Sequence, residues 1–326
     1  MNLYKNLIRP ILFKMNPEDS HNFSVSFLNY LNHLPIKNDY CYQDTFHKQV
    51  CGLNFMNPIG LAAGFDKNAE LVDSIHLLGF GFMEIGTITP RPQSGNPRPR
   101  LFRFPYNQSL LNFMGFNNDG VVRISKRLEK RKSFDIIIGA NIGKNRHTEF
   151  HNSHLDYVAC MKYLHDLVDY FTINISSPNT QGLRKLSDDV PLKNLLDFVQ
   201  NENKSHLKSK PIFLKISPDM NQEDLIKLLD ACVEFQIDGI VSTNTTVDHH
   251  YFKGGLSGTP LIDKSQEFLE FIKSHTDKLK VISSGGVMNS QVAKERFDSG
   301  ADLIQLYTGL VYEGPFLPRK ILKILS

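Results

Sequence analysis

Residues 174 to 184, "NISSPNTQGLR", follow the apolar run "DYFTI" with a cluster of short polar side chains that contains neither histidine nor carboxylate. Asparagine and threonine donate and accept hydrogen bonds without carrying charge, which suits a planar ligand alternating C=O and N–H groups, such as a flavin or pyrimidine ring. Asn112, Asn141, Asn174, Asn179 and Asn244 share this chemistry, and each stands at or near the end of an apolar run. A single loop asparagine is usually a turn former, whereas five at run ends make a candidate ring-reading set. Lys67 and Lys215 also close apolar runs, where an ammonium can neutralise a reduced flavin, a phosphate or a substrate carboxylate; the competing reading is a solvated lysine. Ser176 and Ser177 stay open between turn or cap residues and proton-transfer groups, because no histidine or GxSxG accompanies them. "GGLSG" from Gly254 and "SSGGV" from Ser283 read as glycine-rich turns whose backbone N–H groups can approach a phosphate closely.

The elements that would position these groups alternate regularly. Short β-branched runs begin at Pro58, Phe80, Phe134, Tyr170, Pro211, Ile237, Leu279 and Ala301, eight in all. Between or after them lie stretches with helical spacing: "NAELVDSIHLLG", "HLDYVACMKYLHDLV", "NQEDLIKLLDACVEF", "NSQVAKERFDSG" and "PFLPRKILKIL". Asn221 is a cap candidate, with Glu223 and Asp224 in the favoured first turn of its helix. Strand and helix in alternation imply parallel pairing with right-handed crossovers, and eight units imply a (β/α)8 TIM barrel. An open doubly wound sheet would be expected to carry GxGxxG after its first strand, which is missing. In a barrel the functional groups belong at the C-terminal strand ends, where these residues fall.

Residues 1–40 stand outside the alternation as a small helical domain ahead of a catalytic barrel over 41–326. "LYKNLIRPILFKM" and "NFSVSFLNYLNHL", separated by "NPEDSH", read as two short amphipathic helices, with Leu7, Ile8, Ile11 and Leu12 on one and Phe23, Phe27, Leu28 and Leu31 on the other. One reading has them close the barrel floor or pack on a neighbour. The other lays them on a membrane surface, with Lys5, Arg9 and Lys14 meeting anionic headgroups.

Composition limits the alternatives. Of 326 residues, 41% are hydrophobic and 22% charged, with a formal net charge of +3, as in ordinary soluble proteins. The one dense basic run, "KRLEKRK" at 126 to 132, reads as a solvated helix face, so no nucleic-acid partner is expected. Four cysteines without CxxC spacing indicate neither a metal site nor a disulfide framework, and suit a reducing compartment. No apolar run is long enough to span a bilayer, and no signal-peptide pattern opens the chain.

"GLAAGFDKNAE", "GFGFMEIGTITPRPQSGNPRPRLFR", "LLNFMGFNNDG", "NIGKN", "NISSPNTQGLR", "LKISPD", "STNTT", "GGLSGTPL" and "ADLIQLYTGL" occur in this order. Together they closely resemble the dihydroorotate dehydrogenase family, specifically its class 2, membrane-associated, quinone-dependent branch, from about Pro17 to the C-terminus. The resemblance implies an FMN-binding barrel, one FMN per chain, behind a small helical domain. It implies oxidation of (S)-dihydroorotate to orotate in de novo pyrimidine synthesis: a base removes the C5 proton, a hydride leaves C6 for flavin N5, and ubiquinone or menaquinone reoxidises the flavin. Carried over by position, Ser177 matches the catalytic base, where the other main branch has cysteine, and Lys67 lies near the flavin; a serine base needs Thr180 or an ordered water to relay its proton while reduced-flavin charge develops beside Lys67. Lys67, Asn112, Phe113, Met114, Gly115, Phe116, Asn174, Asn179, Asn244 and Thr245 match substrate contacts. Ala63, Gly64, Thr87, Asn141, Asn174, Lys215, Thr243, Gly258, Gly286, Tyr307 and Thr308 match FMN contacts. His21, Arg103 and Tyr307 match the quinone path, which favours the membrane reading of the first forty residues and a peripheral monomer on the cytoplasmic face of the cell membrane. Two departures from the family pattern are the short segment "VDHHYFK" at 247 to 253 and the serines of "VISSGGV". A class 1 relative would want cysteine at 177 and no helical extension; a catalytically dead barrel would purify without flavin colour.

Overall fold

Eight parallel strands close into a barrel in a computed structural model that describes residues 3–34, 39–132, 136–180 and 182–326. In chain order, a hairpin of β1 (Lys48–Val50) and β2 (Leu53–Phe55) precedes barrel strands β3 (Ile59–Leu61) and β4 (Phe82–Ile88). Then come β5 (Leu101–Phe104), β6 (Ser109–Asn112), and barrel strands β7 (Ile137–Ile142), β8 (Tyr170–Asn174), β9 (Ile212–Lys215) and β10 (Gly239–Ser242). β11 (Gly255–Gly258) leads to β12 (Lys280–Ser284) and β13 (Leu303–Leu306), which pairs with β3 and completes the circle. Each of the eight runs read from the sequence becomes one barrel strand; Phe134 and Asp135, which open the third run, lie outside the described residues.

Helices α1 (Arg9–Lys14) and α2 (Pro17–Leu31) come first, and α3 (Val121–Leu128), α4 (Ser153–Leu164), α5 (Asp189–Lys204), α6 (Gln222–Glu234), α7 (Ile262–His275) and α8 (Ser290–Asp298) follow barrel strands. α9 (Thr308–Glu313) and α10 (Leu317–Leu325) end the chain. Asn221 caps α6 as expected, its Oδ1 accepting from the Asp224 N–H at 2.8 Å.

Period-2 alternation fills the barrel in layers. Phe82, Tyr170, Phe213, Val241, Ile282 and Leu303 form the lower layer, and Val50 and Phe55 of the hairpin pack beneath it. The hairpin therefore closes the floor, a task the sequence reading had offered to the N-terminal helices. Gly60 and Gly139 make room for these rings: a Cβ on either would lie about 2.2 and 2.1 Å from Phe82 and Tyr170 ring carbons.

Three local expectations change. "NAELVDSIHLLG" is not a helix but a series of turns ending in a 3-10 segment, Ile75–Leu78. The cause is Asp66, whose carboxylate accepts from the backbone N–H groups of Asn68, Glu70 and Leu71 at 3.1, 2.9 and 2.7 Å and so holds them in a non-helical array. "GGLSG" is mostly strand rather than turn, since β11 pairs antiparallel with β6, and β6 with β5. "NPEDSH" does not separate two helices; Asn16 caps α2 by accepting from the Glu18 N–H at 3.0 Å, and Pro17 is its first residue.

Candidate active site

A cavity of about 1090 Å³, its open mouth included, lies at the C-terminal ends of the barrel strands and beside the β5–β6–β11 sheet. Ala63, Gly64, Lys67, Thr87, Asn112, Met114, Gly115, Phe116, Asn174 and Ser177 line it, as do Asn179, Lys215, Thr243, Asn244, Thr245, Gly258, Gly286, Tyr307 and Thr308. Phe113, Asn141 and Thr180 are not among the lining residues.

Asn141 lies one hydrogen bond below the lining, in a network whose direction is set from beneath. Glu84, wholly buried in the barrel, accepts from Asn141 Nδ2 at 2.7 Å, Thr172 Oγ1 at 2.9 Å and Gln305 Nε2 at 2.8 Å. A carboxylate only accepts, so Asn141 must turn its amide nitrogen down and its Oδ1 up. That Oδ1 takes hydrogen bonds from Thr87 Oγ1 at 2.6 Å and Asn174 Nδ2 at 3.0 Å. Asn174 is thereby turned so that its Oδ1 accepts from the Ser176 N–H at 3.2 Å. The anion at the base thus decides which atoms the amides above it present.

Glu84 is also the counter-charge for Lys215. Burial pushes the Lys215 pKa down, and the carboxylate acts against that shift. Lys67, on the opposite side, donates to the Gly64 carbonyl at 2.6 Å. Its pKa falls to about 8, first through burial, then through Arg100, with Glu18 and Asp66 opposing.

Ser177 is buried at the rim, and its Oγ accepts from the Asn179 N–H at 3.3 Å. Asn179 Nδ2 reaches Asn112 Oδ1 at 2.9 Å, and Asn112 Nδ2 reaches the Gly255 carbonyl at 3.0 Å, tying the serine segment to the antiparallel sheet. Asn244 Nδ2 donates to Ser176 Oγ at 2.9 Å. On the glycine side, a Cβ at Gly258 would lie 2.3 Å from the Gln108 carbonyl and one at Gly286 2.7 Å from Ile262 backbone, so both surfaces are bare backbone by necessity. The short 247–253 segment packs on the sheet through Tyr251 stacked on Phe104 at 4.2 Å and Phe252 edge-on to Phe102 at 5.0 Å.

A family model described as dihydroorotate dehydrogenase matches residues 45–326. The chain belongs to the dihydroorotate dehydrogenase family. A relative from Christiangramia forsetii, named dihydroorotate dehydrogenase (quinone), is 43% identical over 98% of this chain and 97% of its own length. One of the same name from Sulfurimonas denitrificans is 44% identical over 96% and 91%. Among solved structures, DHODH from Eimeria tenella in complex with ferulenol superposes with a TM-score of 0.89 at 34% identity, covering 95% of this chain and 90% of that one.

In this dihydroorotate dehydrogenase family member the N-terminal helices stand at the cavity mouth. The rings of His21 and Phe65 meet at 4.8 Å and those of Phe65 and Tyr307 at 5.4 Å, a line of contacts from α2 to the cavity edge. Burial, then the Lys67 charge, lowers the His21 pKa to about 4. Arg103 does not line the cavity; it donates to the Leu12 carbonyl at 3.0 Å and to that of Met15, with its guanidinium 4.6 Å from the Phe13 ring centre. Lys5 and Arg9, expected to face headgroups, are held by Glu313 and the Tyr312 carbonyl. Glu84 and Gln305 went unnoticed in the sequence, whereas Ser284, one of the serines of "VISSGGV", lines the cavity; a charged residue at an inward position between Phe82 and Gly86 was the available signal for the first.

Proposed function

We propose that this chain oxidises (S)-dihydroorotate to orotate with FMN and passes the electrons to ubiquinone or menaquinone, as a step of de novo pyrimidine synthesis, with Ser177 as the proton acceptor. The observation that carries the reading is a barrel-mouth cavity whose polar lining is almost entirely uncharged amide and hydroxyl, bounded by two lysines, with the buried Ser177 at its rim. The names of the relatives point to the same substrate and acceptor.

The residues present suit FMN. Gln305 Oε1 and Asn179 Oδ1 are buried without a protein partner, as expected of atoms that meet a ligand's donors. Gly258 and Gly286 offer bare backbone beside Thr308, at the start of α9, for a phosphate. FMN, when bound, supplies the redox chemistry, taking two electrons and a proton equivalent from C6 of the substrate and yielding the electrons to the quinone. Thr87, Asn174, Lys215 and Thr243 would hold its ring.

The chain's own part is orientation and proton transfer. Asn112, Asn179, Asn244 and Thr245 hold the pyrimidine ring by its amide groups, and Lys67 faces its charge. Ser177 takes the C5 proton, and Thr180 or an ordered water carries it away. Residues 1–40 form the quinone-access segment and rest peripherally on the membrane. Leu7, Ile11, Phe23 and Phe27, each at least half exposed, support that reading. Among the described residues no helix is long and apolar enough to cross a membrane.

Ser177→Ala is expected to keep its FMN while anaerobic flavin reduction by dihydroorotate slows by roughly 10²–10⁴-fold, the usual range for loss of a positioned base. Stopped-flow reduction at the wild-type rate would remove Ser177 from the mechanism.

A further inference from the structure

The segment that carries Ser177 is held from behind by two residues outside the cavity. Arg184 lies in a 3-10 turn, Leu183–Ser187, and its guanidinium reaches three ways. Nε donates to the Ser176 carbonyl at 3.1 Å, Nη2 to the Thr245 carbonyl at 3.5 Å, and Nη1 meets Asp219 Oδ2 at 3.1 Å. Asp219, from "LKISPD", is itself a point of convergence. Its Oδ2 also accepts from the Val247 N–H at 3.0 Å, while its Oδ1 takes Thr246 Oγ1 and Lys264 Nζ, the latter at 3.1 Å. Loops after β8, β9 and β10 and the start of α7 therefore meet at one carboxylate. Burial alone would raise the Asp219 pKa, but the hydrogen bonds from Thr246 and Val247 and the charges of Lys264 and Arg184 hold it below the ordinary value.

This pair borders a second cavity, behind Ser176, separate in its lining from the barrel mouth apart from their common wall at residues 176 and 177. On the side of that cavity, the carbonyl of the peptide before Ser177 takes its hydrogen bond from the Arg184 guanidinium.

We propose that Arg184 and Asp219 act together as a positioning clamp for dihydroorotate oxidation, fixing the Ser176–Ser177 peptide against the Asn244–Thr245 edge so that the serine hydroxyl and the substrate's C5 meet in reactive geometry. The clamp rests on the reading of Ser177 as proton acceptor. It touches neither substrate nor flavin, and it is remote from the His21–Phe65–Tyr307 line, so it serves the reductive half of the cycle alone. Both oxygens of Asp219 are occupied by donors, so an asparagine there must turn an NH2 towards one pair of them. A lysine at 184 keeps the charge but cannot reach two carbonyls and a carboxylate at once.

The test uses the full-length, FMN-loaded enzyme with the two half-reactions measured separately under anaerobic conditions. Asp219→Asn and Arg184→Lys are each expected to slow flavin reduction by saturating dihydroorotate roughly 10–100-fold, the scale of a misplaced reacting group. Reoxidation of the reduced flavin by a soluble quinone should stay at the wild-type rate. Deuterium at C5 should slow reduction more in the variants than in the wild type, because proton transfer is the step the clamp serves. The double variant should be no slower than the worse single one, since the two residues act as a unit. Wild-type reduction in both variants overturns the clamp, as does equal slowing of both half-reactions or an unchanged isotope effect. If one variant fails to fold, the other carries the test alone. Loss of the clamp with Ser177→Ala still inactive leaves the serine reading intact, whereas an active Ser177→Ala removes the premise itself.

Discussion

Lys67 is the residue whose chemistry depends most directly on its surroundings. Its pKa of about 8 means that the ammonium discharges in a range where a free lysine stays charged. An orotate carboxylate or a reduced ring is best matched by the charged form. Orotate affinity should therefore fall by about tenfold per pH unit above that value, and Lys67→Met should bind weakly with no such dependence. Titrating orotate against the flavin absorbance across this range measures it, and a flat profile in the wild type would contradict the assignment. Fold stability moves the other way: between about 8 and the unfolded value of 10.5 the unfolded chain holds a proton the native one has lost, so this residue's contribution rises with pH. Glu84 makes a related point through its hydrogen bonds. Its place in the alternation of β4 was readable, but its role was not, because its donors Asn141, Thr172 and Gln305 come from three different strands, β7, β8 and β13.

At the scale of elements, α2 is bound to the mouth by one buried ion pair. Glu18 receives Arg100 at 2.7 Å from Nη2 and 3.2 Å from Nε, and Arg98 at 3.1 Å. Burial opposes the charged form of Glu18, yet the two arginines hold its pKa below the ordinary carboxylate value. The stabilisation is thus complete above the unfolded pKa near 4.5 and is lost as pH falls through the lower native value. Glu18→Gln should cost about 3 kcal/mol at neutral pH, the range for breaking a buried pair and stranding its partner. Chemical denaturation reads this directly, and a change below about 0.5 kcal/mol, typical of a surface substitution, would mean the pair is not what holds α2. The eight strands were legible because each is a short β-branched run bounded by turn residues. The segment after Lys67 was not, since its helical spacing is overruled by Asp66, and β11 was hidden because "GLSG" has no strand pattern until β6 lies beside it.

Across the whole molecule, the barrel separates tasks by depth: a hairpin-sealed apolar floor, a charged middle around Glu84, an amide-lined mouth, and helices whose outer side chains stay uncovered. Phe23 and Phe27 are stacked at 6.3 Å and half exposed, while Val25 and Leu28 of the same helix face inward. Replacing both phenylalanines with serine should weaken sedimentation with anionic lipid vesicles and slow reoxidation by a vesicle-borne quinone, and leave flavin reduction by dihydroorotate unchanged. Undiminished vesicle binding would take the membrane role away from this face.

The sequence by itself determined the barrel, its eight strands and the polar character of the mouth, because period-2 burial and turn chemistry are local properties of the chain. It also brought Ser177, Lys67 and the asparagines to strand ends, where a barrel collects them. Only the tertiary structure decided which way the amides point, that burial shifts both mouth lysines, that the helices sit at the mouth rather than the floor, and that Arg184 and Asp219 stand behind Ser176. Those are matters of direction and distance between residues far apart in the chain, and hydrogen-bond orientation and electrostatic coupling exist only once the strands have closed.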